Sequence, residues 1–532
     1  MSSSLASVSV SVLLVTYICA TPISNKPRYT DNYHHSHIFR GASRPAHSPD
    51  QNNAAYWRHQ AQSTLREKLA KPLLTGRARN VIMFLGDGLS IPTLAAARTY
   101  LGQSQGQTGE ETVLSFEAFP HTGLSKTYCV DSQVADSACS ATAYLSGIKA
   151  NIGTIGVTGN VKLNDCPAML EAANRVTSIL KWSQDAGKST GVVTTTRITH
   201  ASPAGAYSQT ANRNWENDAE VKNSGQDPNK CDDIAKQLIT SLPGRNIKVI
   251  LGGGRKEFLP TNATDEDGKR GARTDGLDLI AEWKSDKRRR RASFQYVWNR
   301  EQLLRVNPER KDFVLGLFNS DHLEYHLLAN TTKEPTLEEL TRFSIRILRK
   351  EPRGFFLFVE GGRIDHGHHD TKAHLALDET VEFAKAIKAA TDMTREEETL
   401  IVVTADHAHT LSISGYPARG NDIFGISGKS DVDKLPYSTI SYANGPGYKQ
   451  PLPNGSRYNI SQDNLADVNY KFPATLPLSS ETHGGDDVAV FARGPWSHLY
   501  AGTFEQNFIP HVMAYASCVG NGRTVCDVYR PY

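Results

Sequence analysis

An excess of charge of either sign is missing from this chain: 59 Lys and Arg stand against 56 Asp and Glu, for a net charge of +3. That balance predicts no polyanion partner, nucleic acid included. Apolar runs long enough to span a bilayer are missing as well. The first twenty residues, MSSSLASVSVSVLLVTYICA, carry no acidic or basic side chain, and small residues follow their short apolar stretch near Ala20. Residues 1–20 therefore read as a secretory signal peptide and are set aside from fold reasoning. The chain ends in CDVYRPY, without the apolar tail that a lipid-anchoring transamidase recognises, so a soluble, secreted, extracellular product is expected. No internal repeat is evident.

Cysteine is sparse. Of seven, Cys19 falls in the signal, leaving Cys129, Cys139, Cys166, Cys231, Cys518 and Cys526. An even set suits an oxidising compartment but leaves many connectivities open. Glycosylation sequons at Asn262, Asn330, Asn454 and Asn459 agree with a secretory route.

What is present is an ordinary globular composition, 39% hydrophobic and 22% charged, in a chain longer than one hydrophobic core usually serves. Residues 21–50, rich in Ser, Pro, His and Asn, lack periodicity and are expected to form a mobile leader before a helical segment around AAYWRHQAQSTLREKLA. Buried strands are predicted at 80–88, 189–197, 247–254, 354–362, 399–407 and 487–495, with helical patterns such as LALDETVEFAKAIKAA between them. This alternation predicts an α/β fold: a three-layer α/β/α sandwich around a large, mostly parallel sheet. The segment 260–293, ending in KSDKRRRRAS, reads as a polar insertion with a solvated basic loop. Residues 411–480, rich in Gly, Pro, Ser, Asn and Tyr, read as an irregular inserted subdomain. It would divide a catalytic core at 51–410 from its C-terminal part at 481–532.

The chemistry gathers where strands end. Ligands of open α/β sheets bind in the crevice outside the carboxyl ends of the strands, and those ends carry Asp87, Glu360, Asp365, Asp406 and His407. His483, in ETHGGDDVAV, precedes its strand instead, so that strand runs antiparallel or its loop arches over the site. Taken singly, Asp87 reads as closing a glycine turn, Asp406 reads equally as a helix N-cap or a ligand, and HGHH, with acid and imidazole clustered beside Glu360, reads as metal ligands over a solvated loop. Taken together, the acids and imidazoles of FVEGGRIDHGHHD and ADHAH point to metal. Imidazole mixed with carboxylate suits an open catalytic zinc site, carboxylate with hydroxyl suits magnesium, and the candidates exceed one ion's needs. VADSACSATAYLSG places Asp136 and Ser137 ahead of a small-residue helix, where a serine is ordinarily an N-cap. No GxSxG elbow surrounds Ser137, so metal coordination would have to activate it as a nucleophile.

Seven blocks carry a wider likeness: IMFLGDGLS, VADSACSATAYLSGIKANIGTIGV, VVTTTRITHASPAGAY, ANRNWE, FFLFVEGGRIDHGHHD, VVTADHAH and ETHGGDDVAVFARGP. From about residue 55 onward the chain resembles the animal alkaline phosphatases, the insect members most closely. The resemblance implies a metal-dependent phosphomonoesterase with two zinc ions and one magnesium. One zinc would be held by Asp365, His369 and His483, the other by Asp87, Asp406 and His407. Magnesium would be held by Asp87, Ser202 and Glu360, with His200 nearby. Ser137 would be the phosphorylated nucleophile, and Arg213 would grip two phosphate oxygens beside Asp136. It also implies a homodimer with the insertion near the subunit contact, and disulfides Cys166–Cys231 and Cys518–Cys526; Cys129–Cys139 is a further expected pair. Where vertebrate members hold calcium, Asn319 and Glu334 weaken the carboxylate set, so calcium is left out. Ser480 replaces an acidic residue at the pocket mouth of some relatives. The rival readings are a sulfatase or phosphodiesterase of the same superfamily, or a catalytically silent binding protein on the same scaffold.

Overall fold

A computed structural model describes residues 49–529. The expected signal peptide, residues 1–20, and all but the last two residues of the expected leader, residues 21–50, lie outside them.

The apolar runs become the strands of one ten-stranded sheet. Eight of these are β1 (Asn80–Gly86), β2 (His121–Lys126), β3 (Ser189–Arg197), β4 (Val249–Gly253), β5 (Phe294–Val297), β6 (Phe313–Leu317), β7 (Phe355–Gly361) and β8 (Thr399–Ala405); Val488–Arg493 and Gly502–Glu505 complete it. From edge to edge the order is Gly502–Glu505, β2, Val488–Arg493, β8, β1, β7, β3, β4, β6, β5. Neighbours from β8 to β5 are parallel. Val488–Arg493 is antiparallel to both β2 and β8.

Because side chains alternate across a strand, the continuous apolar runs feed two cores. In β1, Ile82 and Phe84 enter one, while Val81, Met83 and Leu85 enter the other. Helices α2 (Ile91–Ser104), Leu337–Leu348 and Ala373–Met393 cover the first face; α3 (Ser137–Ser146), Ile179–Asp185, Ile234–Thr240, Leu279–Arg289 and Phe508–Ser517 cover the second. The result is the α/β/α sandwich that the alternation predicts. The N-terminal helix α1 (Ala54–Ala70) has no buried residue.

Between Leu411 and Pro477 the chain leaves the large sheet for a three-stranded and a two-stranded sheet of short strands. The basic run predicted as a solvated loop is instead the C-terminal turn of Leu279–Arg289. Asp278 caps that helix at Ala281 N, and Leu279, Ile280 and Trp283 anchor its apolar face. Basic side chains then complement the negative end of the helix dipole, and Asp286 pairs with Arg245, Lys287 and Arg290.

Disulfides join Cys129 to Cys139, Cys166 to Cys231 and Cys518 to Cys526. Asn319 donates its side-chain amide to Glu334 at 2.6 Å, so that carboxylate is engaged by a neutral neighbour.

Candidate active site

Topology brings the site together at one rim. β1, β7 and β8 are adjacent and parallel, so the residues following them, Asp87, Asp365 and Asp406–His407, emerge side by side with Glu360 near the end of β7. The antiparallel Val488–Arg493 has its N-terminal end at the same rim, which delivers His483 there. A short antiparallel bridge fixes His483 directly opposite His409. Gly88, at φ 68°, turns the chain after β1 and donates its N–H to Asp406 Oδ1 at 3.0 Å; a Cβ there would come within 2.3 Å of the His409 ring.

The HGHHD stretch is helical, Arg363–His369, which makes Asp365 and His369 i,i+4 neighbours with Nε2 to Oδ2 at 3.3 Å. Its other imidazoles go elsewhere. His368 is buried, within hydrogen-bond distance of Thr93 Oγ1 and the Tyr442 hydroxyl, and His366 pairs with Arg363.

Three imidazoles are oriented by the oxygen each meets at Nδ1. Those of His369 and His483 donate to the backbone carbonyls of Glu481 at 2.5 Å and Ala135 at 2.8 Å. Their Nε2 atoms, left as lone pairs, lie 3.2 Å apart. Two acceptors facing each other repel unless a cation lies between them. His407 Nδ1 faces Ala408 O at 3.3 Å, while its Nε2 looks at Asp406 Oδ2 (3.1 Å), Ser137 Oγ (3.3 Å) and Asp87 Oδ1 (3.5 Å).

The carboxylates are stranded. Asp87, Glu360 and Asp406 are fully buried, and among the described residues both oxygens of Asp87, Oε1 of Glu360, Oδ2 of Asp406 and the Ser202 hydroxyl make no well-formed hydrogen bond. Burial, followed by the charges of Asp406, Asp365 and Glu360, drives Asp87 well above its usual range. Burial likewise raises Asp406, and it raises Glu360 to about 7 against hydrogen bonds from Thr194 and Thr196. Asp365 moves the other way: burial would raise it, but His369, His409 and His483 together hold it well below the usual range. Burial lowers His407 and His369. A site of buried anions and bare imidazole nitrogens, with few donors, has the chemistry of a cation cage.

Ser137 opens α3, with Asp136 as its N-cap. Asp136 Oδ1 accepts from the N–H groups of Cys139 and Gly153, each at 3.1 Å, and Oδ2 accepts from Arg213 at 3.0 Å. Arg213 reaches His200 Nε2 with its other terminal nitrogen at 3.3 Å, so that nitrogen is the acceptor and Nδ1 carries the proton. Burial, then the charge of Arg213, keeps the His200 ring neutral. The Arg213 side chain is 23% exposed, at the mouth of the cluster.

Every residue expected from the sequence lies in this region: Asp87, Asp136, Ser137, Ser202, Arg213, Glu360, Asp365, His369, Asp406, His407 and His483, with His200 alongside. Sequence reasoning missed His409 and Glu481. His409 joins Asp365 at 2.7 Å on one ring nitrogen and Glu481 on the other; burial opposes its charge, but these two carboxylates push it up to about 10. The second imidazole of ADHAH, two residues beyond His407 on the same side of an extended segment, was the available signal. Thr194 and Thr196, which hold Glu360 Oε2, carried no recognisable signal.

The alkaline phosphatase family model matches residues 78–519. The chain belongs to the alkaline phosphatase family. It is 52% identical to the membrane-bound alkaline phosphatase of Bombyx mori over 505 residues, covering 94% of this chain and 92% of that one. It is 50% identical to the tissue-nonspecific isozyme of Rattus norvegicus over 89% of this chain and 90% of that one. The solved alkaline phosphatase of the Antarctic bacterium TAB5 shares the fold, with a TM-score of 0.58 at 22% identity over 84% of this chain and 100% of that one. A variant of the TAB5 enzyme was solved with magnesium bound in its M3 site. As an alkaline phosphatase, the chain is a phosphoric monoester hydrolase whose family uses metal cofactors.

Proposed function

We propose that this alkaline phosphatase hydrolyses phosphate monoesters through a phosphoserine on Ser137, with two zinc ions and one magnesium as cofactors. One observation carries the reading: unpartnered carboxylate oxygens and bare imidazole nitrogens surround a serine at a helix N-terminus. Asp365, His369 and His483 would hold one zinc, and Asp87, Asp406 and His407 the other. Asp87, Ser202 and Glu360 would hold magnesium; the magnesium of the TAB5 variant supports such a third site. His409, braced by Glu481, orients Asp365, as a partner behind the ligands does in metal centres. Bound there, divalent cations supply positive charge that lowers the pKa of the Ser137 hydroxyl and offsets charge on the departing oxygen.

The rest of the work falls to the chain. The ten-residue α3 presents its positive end to the phosphoryl group. Arg213, clamped by Asp136 and His200, turns its remaining N–H groups toward two non-bridging oxygens. Ser137 Oγ attacks phosphorus in line; its P–O bond forms as the ester P–O bond breaks and the alcohol leaves. Water then attacks the phosphoserine from the vacated side, releasing phosphate and restoring Ser137. Recognition falls on the phosphate, so many leaving groups are accepted.

The proposal extends to a catalytic core at 51–410 and 481–532, interrupted by the insertion 411–480. It also includes a homodimer, which α1 supports because none of its residues is buried within the protomer. Extracellular, secreted placement is supported by three disulfides; among the described residues no helix is long and apolar enough to cross a membrane.

Turnover of p-nitrophenyl phosphate, its bis-ester and p-nitrophenyl sulfate, with and without chelator, tests the reading. Preference for the monoester, lost with chelator and restored by zinc with magnesium, is expected. Preference for the sulfate or the bis-ester, or activity indifferent to metal removal, would overturn it.

A further inference from the structure

A cavity of about 750 Å³ lies at the opposite end of the nucleophile helix from Ser137. Helix α3 begins at Ser137 and ends at Ser146, whose side chain lines the cavity; ten residues place the two ends about 15 Å apart. The walls are aromatic. Trp496 meets Tyr515 edge to face with ring centroids 5.0 Å apart, and Trp182 lies 6.5 Å from His511. The loop closed by the Cys518–Cys526 disulfide supplies another wall, with Gly520 packed so closely that a Cβ there would be 3.3 Å from the Trp182 ring. Trp496 holds a left-handed backbone, φ 63°, uncommon for a bulky residue.

Two independent features point to a ligand. Ser146 is only 6% exposed and, among the described residues, its hydroxyl has no hydrogen-bond partner; the buried indole N–H of Trp496 is likewise unpartnered among them. Buried donors left this way destabilise the fold, a cost that an acceptor in the cavity removes. In addition, Arg175 and Arg523 line the cavity as exposed guanidinium groups, with no carboxylate partner among the described residues. An aromatic floor ringed by two unpaired cations and polar donors matches a flat apolar body carrying one negative charge.

We propose that this cavity is a second binding site, separate from the catalytic rim, which takes an aromatic carboxylate. Nothing in its lining is a nucleophile aligned with a base, so the occupant is a ligand and not a substrate. The aromatic walls hold the ring, and Arg175 and Arg523 hold the carboxylate.

The test is a titration of the full-length, metal-loaded enzyme with 2-naphthoate and with neutral 2-naphthamide, in saturating inorganic phosphate, followed by calorimetry and tryptophan emission. Saturable naphthoate binding that quenches emission is expected despite the phosphate. The double variant Arg175→Glu, Arg523→Glu should weaken naphthoate at least about tenfold while leaving naphthamide binding and p-nitrophenyl phosphate turnover unchanged. Three results would overturn the proposal: displacement of naphthoate by phosphate, unaltered naphthoate affinity in the double variant, or no saturable binding at millimolar naphthoate. The last is also what a cavity filled by the chain's own terminal residues would give.

Discussion

Two regions of this molecule bury charge with opposite results. Around Arg255 and Arg273, both fully buried, the guanidinium groups are met by acceptors. Arg255 donates to Asp265 at 3.1 Å, to the Leu317 carbonyl at 2.8 Å and to Asp267, while Arg273 forks onto Asp233 at 2.9 Å on each nitrogen and reaches Asp275. At the rim, Asp87, Glu360 and Asp406 are just as buried, yet both oxygens of Asp87, one of Glu360 and one of Asp406 have no hydrogen-bond donor among the described residues. Burial of charge therefore does not mark the site; burial without a partner does. The first region is complete in itself, because each buried guanidinium meets acceptors within the chain. The second needs positive charge from outside the chain.

The comparison can be broken hardest at Ser137. Ser137→Ala should reduce p-nitrophenyl phosphate turnover at least about a thousandfold with no change in the thermal unfolding midpoint. A residual rate near that of the parent would remove the serine from the reaction. Arg213→Ala comes next, with an expected loss of about 10²–10³-fold; Arg213→Lys should recover only part of it, since an ammonium lacks the planar fork. Steady-state kinetics on both variants decides the point.

In the paired region the effect should fall on stability instead. Arg273→Ala leaves Asp233 buried without its partner and should cost about 3–5 kcal/mol by denaturant unfolding, with turnover per folded molecule unchanged. Asp87→Asn should show the reverse contrast: it relieves repulsion in metal-stripped protein and raises its midpoint, but lowers the midpoint of the metal-loaded protein. Equal shifts in both forms would erase the distinction between the regions.

Glu360 at the rim and Asp286, paired with Arg245 and Lys287 elsewhere in the fold, titrate with opposite sign. Glu360 is raised from 4.5 to about 7, so the metal-free fold binds a proton that the unfolded chain releases. Its stabilising contribution is complete below pH 4.5 and is lost as pH rises through about 7, a change of roughly 3 kcal/mol at most. Asp286 is lowered from 3.8 to about 2 because Arg245 and Lys287 outweigh burial. Its contribution is present above pH 3.8 and lost as pH falls through about 2. Stability measured against pH should show both limbs in stripped protein, and the upper limb should vanish when zinc and magnesium are restored. The smallest effect belongs to solvent-exposed pairs such as Lys388–Asp392, where Lys388→Ala should cost no more than about 0.5 kcal/mol.

Legibility followed locality. Strands such as β1, β7 and β8 were readable because six or seven successive residues of each are buried, a demand that a nearly continuous apolar run satisfies. The basic stretch at 287–291 was misread because charge dominates its composition, whereas its helix is specified by Asp278 and three apolar residues upstream. His368 and His369 are chemically identical neighbours. One is tied to Thr93 and Tyr442 and the other faces the rim, a difference of about 100° around a helix that no residue type announces.

By itself, the sequence determined the alternating elements, the two-faced sheet and the inventory of acids, imidazoles and one serine at strand and helix ends. These follow from periodicity and from side-chain chemistry, which act over a few residues. Tertiary structure alone decided that Val488–Arg493 runs antiparallel and returns His483 to the rim, that His409 and Glu481 brace Asp365, and that an aromatic cavity forms behind α3. Those outcomes depend on which distant segments become neighbours, and strand order is set by the packing of the whole chain.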